Sequence, residues 1–282
     1  MTARFGVSTQ AEKADRFRAL HARPGAFIIP NPWDVGSARI LAHLGFEALA
    51  TTSAGVAFSL GKPDNTVDRD TMMQHVSAIA AATDLPVSGD LENGYGDAPD
   101  IAAETIRLAA AAGLVGGSIE DATGRLDEPI YGLAHAAERV RAAAAAAHSL
   151  PFPFMLTARA ENYLHGRADL ADTIARLQAY QEAGADVLYA PGLTTQGDIA
   201  ELARSVDRPV NVLMGLQGVQ VSLGELAAMG VKRVSVGGSL CRAAFGALVR
   251  AGREMQTHGT FTYAKEAVSH REMCALFAPG LP

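Results

Sequence analysis

Short apolar runs recur at regular intervals from residue 26 onward, and longer segments of helical composition separate them. The runs do not alternate apolar and polar positions, which indicates parallel strands covered on both faces. Several of the longer segments end at a glycine, as helices commonly do. Eight strands are predicted, at residues 26–30, 47–52, 86–91, 115–120, 152–158, 186–190, 209–213 and 233–236. Eight strand-then-helix units predict an α/β fold of the (β/α)8 TIM-barrel type.

The predicted helices fill the intervals between these strands. They cover residues 10–21, 35–44, 68–83, 99–112, 132–148, 169–183, 196–205 and 222–229, and two more follow the eighth strand at 239–256 and 263–277. We therefore predict one barrel domain over residues 1–282, with a helical extension at about residues 239–282. The extension packs either on its own barrel or, swapped, on another subunit.

Composition narrows the classes of partner. The chain has 282 residues, a net charge of −6 and no Lys/Arg-rich block, so neither nucleic acid nor an anionic membrane surface is an expected partner. It has no apolar run of membrane-spanning length and no signal-like N-terminus, which predicts a cytoplasmic protein. Cys241 and Cys274 both fall in predicted helices, a spacing that favours neither a disulfide framework nor a zinc site.

Two carboxylates, Asp90 and Glu92, stand where the third predicted strand ends, just before Gly94 and Gly96. Strand periodicity points both side chains to one face, and glycine lets the backbone turn sharply after them. Carboxylate oxygens suit Mg²⁺ or Mn²⁺, which bind few protein carboxylates and complete their coordination with water and substrate oxygens. Taken alone, the same pattern is also typical of a solvated loop.

Polar and charged residues follow four other predicted strands as well. In a (β/α)8 barrel the carboxyl ends of the strands meet at the face where chemistry takes place. There we expect Asn31, Trp33, Asp34, Ser53, Ala54, Gly55, Asp90, Glu92, Glu120, Asp121, Arg159 and Glu161. Carboxylates this close repel one another unless a cation intervenes, which favours Mg²⁺. The structural alternatives are a core role for Trp33, a plain turn at Ser53 to Gly55, and a barrel-mouth ion pair for Arg159.

An ordered set of motifs along nearly the whole chain resembles the isocitrate lyase and phosphoenolpyruvate mutase superfamily. The motifs are Asn31-Pro32-Trp33-Asp34, Thr52-Ser53-Ala54-Gly55, Gly89-Asp90-Leu91-Glu92-Asn93-Gly94-Tyr95-Gly96, Ile119-Glu120-Asp121, Ala158-Arg159-Ala160-Glu161 and Ser235-Val236-Gly237-Gly238. The ordered set is specific, although no single motif is. The resemblance implies an enzyme that holds the enolate of a 2-oxo acid on Mg²⁺.

The resemblance also implies a role for each matching residue. Asp90 contacts the metal directly, while Glu92 and Glu120 hold its water ligands. Asp64, in the loop at residues 61–65, lies near metal and substrate. Arg159 pairs with a carboxylate or a 2-oxo oxygen. The implied catalytic residues are Arg159, Asp64 and Glu120, and the implied substrate-binding residues are Trp33, Ser53, Ala54, Gly55, Asp90 and Arg159, with Trp33 as a wall of the pocket.

The loop after the fourth predicted strand departs from the superfamily pattern. Lyases carry a cysteine-containing motif there and phosphonate-handling members carry Lys, Asn and Ser, but residues 121–131 contain no Cys, His, Lys, Asn or Ser. After the sixth strand, Tyr189-Ala190-Pro191-Gly192 replaces the acidic residue of the tricarboxylate lyases, and Leu213 stands near their asparagine. The loop lacks the usual lyase acid and supports neither a mutase nor a phosphonopyruvate hydrolase, and the departure after the sixth strand disfavours isocitrate and 2-methylisocitrate as substrates.

The function that remains is a Mg²⁺-dependent carbon-carbon lyase or decarboxylase acting on a small 2-oxo or 2-hydroxy dicarboxylic acid. Decarboxylation of a β-keto acid such as oxaloacetate demands least of the site. Retro-aldol cleavage of a substituted malate needs an acid and a base besides, for which Asp64, Glu161, Tyr95 and Tyr131 are candidates. The alternatives are a non-catalytic 2-oxo acid binder with the same metal cradle and, less favoured, a phosphonopyruvate-type P–C bond enzyme. An unrelated class II aldolase-like barrel would need histidine ligands at the strand ends, where this chain has none.

The predicted partners are therefore a small 2-oxo or 2-hydroxy acid and other copies of this chain. The resemblance implies a homotetramer built from pairs that exchange the C-terminal helix, so we expect a dimer or a tetramer.

Overall fold

Eight parallel strands form the centre of the protein in a computed structural model, which describes residues 8–217 and 219–278. The strands are β1 Phe27–Ile29, β2 Leu49–Ala50, β3 Val87–Asp90, β4 Gly116–Glu120, β5 Met155–Arg159, β6 Val187–Tyr189, β7 Val210–Leu213 and β8 Arg233–Ser235. They pair side by side in the order β1-β8-β7-β6-β5-β4-β3-β2. The predicted (β/α)8 barrel is confirmed.

The seam of the barrel lies between β1 and β2, which meet through a few contacts. The Ala50 N–H donates to the Pro30 carbonyl (3.1 Å). Next to it, the Asn31 amide donates to the Thr51 carbonyl (2.9 Å), and its oxygen accepts from the N–H groups of Val236 (2.8 Å) and Gly237 (2.9 Å). Asn31, which we expected among the chemical groups of the mouth, therefore joins three strand ends.

The helices surround this barrel. They are α1 Gln10–Ala22, α2 Val35–His43, α3 Ser53–Ser59, α4 Arg69–Ala81, α5 Pro99–Ala111, α6 Leu133–His148, α7 Leu170–Glu182, α8 Gln196–Arg204, α9 Leu223–Ala228, α10 Ser239–His258 and α11 His270–Leu276. Side chains fix many N-termini by accepting a hydrogen bond from the first turn, namely Thr9, Asp34, Asp68, Asp169, Thr195 and Ser222. Caps of this kind can be read from sequence, and the predicted helices up to 239–256 end within two residues of these bounds.

Two local predictions were wrong. Residues 53–59 form the short helix α3, where a strand end or a plain turn was expected, because the Thr52 hydroxyl accepts from the Gly55 N–H (3.3 Å) and starts a helical turn. The predicted helix at 263–277 is divided into a 3₁₀ turn, Thr262–Lys265, and α11. The Ser269 side chain accepts from the Glu272 N–H (3.2 Å) and begins that second helix.

The C-terminal segments lie outside the barrel wall. Along its 20 residues, α10 buries only Cys241 and Ala251. Large apolar side chains on this surface are exposed, among them Leu248 and Phe261. The expected contact with another subunit would cover such a surface, and it stays a prediction. Within the described ranges, none of the helices combines the length and the apolar character needed to cross a membrane.

Helix α1 closes the end of the barrel opposite the strand carboxyl ends. His21 is buried there between the rings of Phe17 and Phe27. Its Nδ1 lies 2.8 Å from the Phe17 carbonyl, so it donates, and Nε2 lies 3.5 Å from Nη1 of Arg233. Burial, and then the charge of Arg233 and that of Lys232, lower the pKa of His21 to about 3. The imidazole is therefore neutral in the folded protein at ordinary pH.

We expect His21 to make the fold sensitive to mild acid. In the unfolded chain its pKa returns to about 6.5, so below that pH the unfolded state binds the extra proton. The stability that this group contributes is complete above pH 6.5 and is lost as the pH falls towards 3. At pH 5 the loss amounts to about 2 kcal/mol. Urea unfolding of the wild type and of His21→Leu at pH 7.5 and 5.0 measures it. Equal losses of unfolding free energy between pH 7.5 and 5.0 in the two proteins would contradict this role of His21. Both proteins contain the same carboxylates, so the carboxylates contribute equally to both losses.

Candidate active site

Arg159, at the end of β5, is the centre of the site. Its Nη1 donates to Asp90 Oδ1 (2.8 Å), its Nη2 lies 3.2 Å from Glu120 Oε2, and its Nε donates to Glu161 Oε1 (2.8 Å). Each carboxylate comes from a different segment, at the end of β3, at the end of β4 and just after β5. The strand ends thus bring together the residues that the sequence predicts for the mouth, around one guanidinium.

Asp90 is held on its other side by the start of α3. The backbone N–H and the hydroxyl of Ser53 both donate to Asp90 Oδ2, each at 3.0 Å. The hydroxyl of Ser118 reaches Oδ1 at 3.4 Å, and the Asp90 N–H donates to Thr51 Oγ1 (2.9 Å). Ser53 and Ala54 line the cavity of the mouth, while Gly55 is buried behind them. Asp90 therefore has one fixed orientation.

The loop that carries Glu92 has unusual backbone geometry. Glu92 has φ 50° and Tyr95 has φ 64°, in the left-handed region that side chains other than glycine seldom adopt. The Glu92 carbonyl nevertheless accepts from the Glu120 N–H (3.0 Å), which ties this loop to β4. Backbone strain of this kind persists only where the surroundings over-determine it. Here that support comes from Arg139.

Arg139, on α6, is fully buried beneath the loop. Its guanidinium donates to the carbonyls of Asp97 (3.0 Å), Gly96 (2.8 Å) and Glu120 (3.2 Å), and also to that of Asn93. The sequence analysis missed this residue, although a signal existed. Arg139 lies on the helix face of the buried Ala136 and Ala143, three residues before and four after it, where a solvated arginine would not stand.

We expect Arg139→Met to unfold more easily by about 3 kcal/mol and to lose activity by roughly tenfold or more, because four carbonyls lose a charged donor and the Glu92 loop loses its support. Arg141→Met is the matched control, since Arg141 is exposed on the same helix and should change stability by less than about 0.5 kcal/mol. Thermal unfolding and turnover of both variants test this. If the two variants are equally stable, Arg139 does not support the loop that carries Glu92.

Negative charge exceeds positive charge at the mouth. Arg159 pairs with three carboxylates, and among the described residues Asp64 and Glu92 have no cationic partner. Burial, Asp90 and Asp64 raise the pKa of Glu92 to about 8, and burial together with Asp90 raises that of Asp64. Burial also raises the pKa of Glu120, against the opposing charge of Arg159. Burial is the largest cause of each shift, and neighbouring carboxylates add to it at Glu92 and Asp64.

Asp121, which we expected at the mouth, turns away from it. Its Oδ1 accepts from the Glu161 N–H (2.8 Å), and its Oδ2 accepts from Tyr180 Oη (2.5 Å) and Arg176 Nη1 (3.0 Å). All of these groups are buried. Asp121 thus holds the backbone of Glu161 in place from behind the strand ends.

A cavity with two lobes opens at this mouth. The inner lobe, of about 250 Å³, runs into the barrel from Ser53, Asp64 and Asp90 past Arg159 to Tyr189 and Arg233. The outer lobe, of about 350 Å³, is lined by acidic side chains and by segments after β4 and β5 that the sequence analysis did not assign, including Thr123, Leu164 and His165. These volumes suit a molecule at or below the lower limit for drug-sized ligands.

Three aromatic residues that the sequence suggests for the site, Trp33, Tyr95 and Tyr131, are not among the residues that line either lobe. Trp33 lies behind α3, with its Cβ 2.8 Å from where a Cβ on Gly55 would stand, and in the described structure it does not line either lobe. Its role as a pocket wall stays a prediction. Tyr131 Oη donates to Asp97 Oδ1 (2.5 Å), outside the cavity, and Tyr95 Oη is buried without a hydrogen-bond partner. Of the four proton-transfer candidates, only Asp64 and Glu161 line the cavity.

The residues at the mouth suit a hard divalent cation in charge and in donor type. All five acidic side chains, Asp64, Asp90, Glu92, Glu120 and Glu161, offer oxygen donors. Within residues 8–217 and 219–278, no group of three or more His, Cys, Asp or Glu side chains is close enough to hold a metal by itself. An ion here would need water and substrate oxygens in addition, which is the coordination that Mg²⁺ prefers.

Comparison with known proteins identifies the family. The family described as phosphoenolpyruvate phosphomutase matches residues 17–256. This chain belongs to the phosphoenolpyruvate phosphomutase family. The resemblance read from the motifs is confirmed, and the family places the chain among enzymes with lyase-type members.

Three similar proteins show how near the likeness is. The crystal structure of a Burkholderia cenocepacia protein, classed provisionally as a lyase or mutase, is 66% identical with a TM-score of 0.94, covering 96% of this chain and 97% of that one. Oxaloacetate decarboxylase of Bradyrhizobium is 30% identical over 71% of this chain and 70% of its own. A phosphonopyruvate hydrolase solved with oxalate and Mg²⁺ is 23% identical, with a TM-score of 0.83 and 94% of each chain covered, a likeness of fold alone.

Proposed function

We propose that this protein is a Mg²⁺-dependent lyase or decarboxylase that breaks a carbon-carbon bond of a small 2-oxo or 2-hydroxy dicarboxylic acid. The observation that carries the proposal is the mouth of the barrel, where five carboxylates surround a single guanidinium beside a small polar cavity. Such a charge distribution is costly to maintain for structure alone. It is useful where a cation and an anionic substrate bind together.

Asp90, Glu92 and Glu120 would hold the ion, Asp90 directly and the other two through water. When bound, Mg²⁺ would supply positive charge next to the oxygens on which an enolate develops. Asp90 ends β3, Glu92 lies two residues later in the loop that follows, and the backbone N–H of Glu120 donates to the Glu92 carbonyl. The likeness in fold to the phosphonopyruvate hydrolase solved with oxalate and Mg²⁺ supports this metal.

Arg159 would orient the substrate and stabilise negative charge on its oxygens. Its planar fork already bridges Asp90 and Glu120, so its position is fixed before a substrate enters. The Ser53 hydroxyl and N–H, at the first turn of α3, donate to Asp90 and would also donate to a substrate oxygen. Asp64 and Glu161 line the cavity as groups for proton transfer to or from the substrate carbons.

Decarboxylation is the reaction that asks least of these residues. The loop after β4 offers no Cys, His, Lys, Asn or Ser between residues 121 and 131, so the proton donor of the lyases and the phosphonate-binding set are both missing. The likeness to an oxaloacetate decarboxylase supports the same choice. Cleavage of a substituted malate remains the second candidate, because Asp64 and Glu161 stand at the cavity as acid and base.

A substrate panel tests the proposal. Oxaloacetate, substituted malates, isocitrate, 2-methylisocitrate and phosphonopyruvate are each incubated with the protein and Mg²⁺ or EDTA, and CO₂ and 2-oxo acid products are measured. The proposal expects Mg²⁺-dependent turnover of oxaloacetate or of a substituted malate. Turnover of phosphonopyruvate alone would contradict it. Absence of turnover with Mg²⁺-dependent oxalate binding would instead support a non-catalytic 2-oxo acid binder.

A further inference from the structure

Arg233 is a buried cation inside the barrel with neutral partners. It begins β8 and is 5% exposed. Its Nε donates to the Asn211 side-chain oxygen (2.9 Å), its Nη2 to the Thr157 hydroxyl (3.0 Å), and its Nη1 lies 3.5 Å from His21 Nε2. Within the described residues, no carboxylate pairs with it. A guanidinium has five N–H donors, so these contacts leave donors available.

Other arginines that are buried or largely buried show how Arg233 differs. Arg159 pairs with three carboxylates and Arg176 with Asp121 and Asp172. Arg139, like Arg233, forms no ion pair with a described carboxylate, but it donates to four carbonyls. A buried charge without a counter-charge costs several kcal/mol, so a barrel built for stability alone would place an apolar side chain here. Burial lowers the pKa of Arg233 to about 10, which still leaves it positively charged at neutral pH.

The strand register connects Arg233 to the mouth. Arg233 pairs with Asn211, Asn211 with Tyr189, Tyr189 with Arg159, and Arg159 with Glu120. Paired residues of parallel neighbours point to the same face of a sheet, so this row faces the barrel interior. Arg233, Asn211, Tyr189 and Arg159 all line the inner lobe of the cavity. The row therefore leads from the guanidinium of Arg159 at the mouth, which pairs with carboxylates, to the guanidinium of Arg233 at the floor, which has only neutral partners among the described residues.

We propose that Arg233 receives a second anionic group of the substrate, so that the substrate is a small acid with a carboxylate at each end. One end would lie at Arg159 and the ion-holding carboxylates, and the other at the floor of the inner lobe, with Asn211 and Ser235 beside it. This inference rests on the proposed function and adds to it a residue that selects dicarboxylic over monocarboxylic acids. The counter-charge that the floor lacks would arrive with the substrate.

Two acids of equal length test the selectivity. 2-Oxoglutarate and 2-oxopentanoate differ only in a terminal carboxylate or methyl group, and oxalate is too short to reach the floor. Binding to the full-length protein with Mg²⁺ is followed by calorimetry. The wild type is expected to bind the dicarboxylate at least about 30-fold more tightly than its partner. Arg233→Met should abolish that preference and leave oxalate affinity within about threefold.

The outcomes separate the two proposals. If the wild type binds oxalate with Mg²⁺ but does not distinguish the two acids, the role of Arg233 is wrong and the proposed function stands. If it binds none of the three, both proposals fail. Arg233→Lys serves where the methionine variant does not fold, and it should reduce the preference at least about fivefold because a point charge replaces the planar fork. An unchanged preference in that variant, or an equal loss for oxalate and 2-oxoglutarate, would also overturn the assignment.

Discussion

Replacing Asp90 with asparagine is expected to lower turnover by roughly a thousandfold and to remove its dependence on Mg²⁺. The substitution keeps the size of the side chain but takes away the charge that one ion-holding group contributes. It also turns one of the two Asp90 oxygens, which accept from Arg159 and from Ser53, into a donor. Steady-state turnover of the best substrate of the panel, at a series of Mg²⁺ concentrations, measures the effect.

Asp15→Asn is the control for this prediction. Asp15 lies on α1 at the opposite end of the barrel, exposed and paired with Arg18 (2.9 Å). Turnover of the Asp15→Asn variant should stay within about twofold of wild type, because a surface ion pair contributes little to stability. If Asp90→Asn retains Mg²⁺-dependent turnover near the level of this control, Asp90 does not hold the ion.

Removal of the Arg159 guanidinium should affect both stability and activity. In Arg159→Met, Asp90, Glu120 and Glu161 lose their shared partner, and breaking a buried ion pair in this way costs about 3–5 kcal/mol. Turnover should fall by roughly a thousandfold as well. Because uncompensated carboxylates gain most from a cation, Mg²⁺ should raise the melting temperature of this variant more than that of the wild type.

Arg176→Met provides a matched comparison. Arg176 is also a buried guanidinium, and it pairs with Asp121 (3.0 Å) behind the site. Its loss should destabilise the fold to a similar extent, but Mg²⁺ should raise the melting temperature of this variant no more than that of the wild type, because Asp121 does not line the cavity. An identical response of both variants to Mg²⁺ would show that the ion does not bind at the Arg159 cluster.

The sequence predicts the barrel because buried parallel strands and capped helices leave local signals. Apolar runs and capping residues such as Asp68 and Thr195 depend on near neighbours, so their positions follow from the chain alone. The strand-end rule likewise places Asp90, Glu120 and Arg159 at one mouth. The division of the C-terminal helix was missed because it depends on one cap, at Ser269.

What the sequence does not predict is which polar side chains turn inward. Asn31 and Asp121 stand at strand ends like the site residues, yet both hold backbone in place, Asn31 while also lining the inner lobe and Asp121 from behind the strand ends. Arg139 and Arg233 act from a helix face and a strand start, where partners come from residues far along the chain. A charged residue inside a run predicted to be buried on both faces, as Arg233 is, was the available signal for the floor of the cavity.

The measurement that tests the central claim most directly is the binding of oxalate, a planar mimic of a 2-oxo acid enolate, by the wild type and by Asp90→Asn, with Mg²⁺ and with EDTA. We predict that the wild type binds oxalate at least about 30-fold more tightly with Mg²⁺, and that the variant loses this enhancement. Equal oxalate binding by the wild type in Mg²⁺ and in EDTA would contradict a metal-assisted enolate site at the mouth of this barrel.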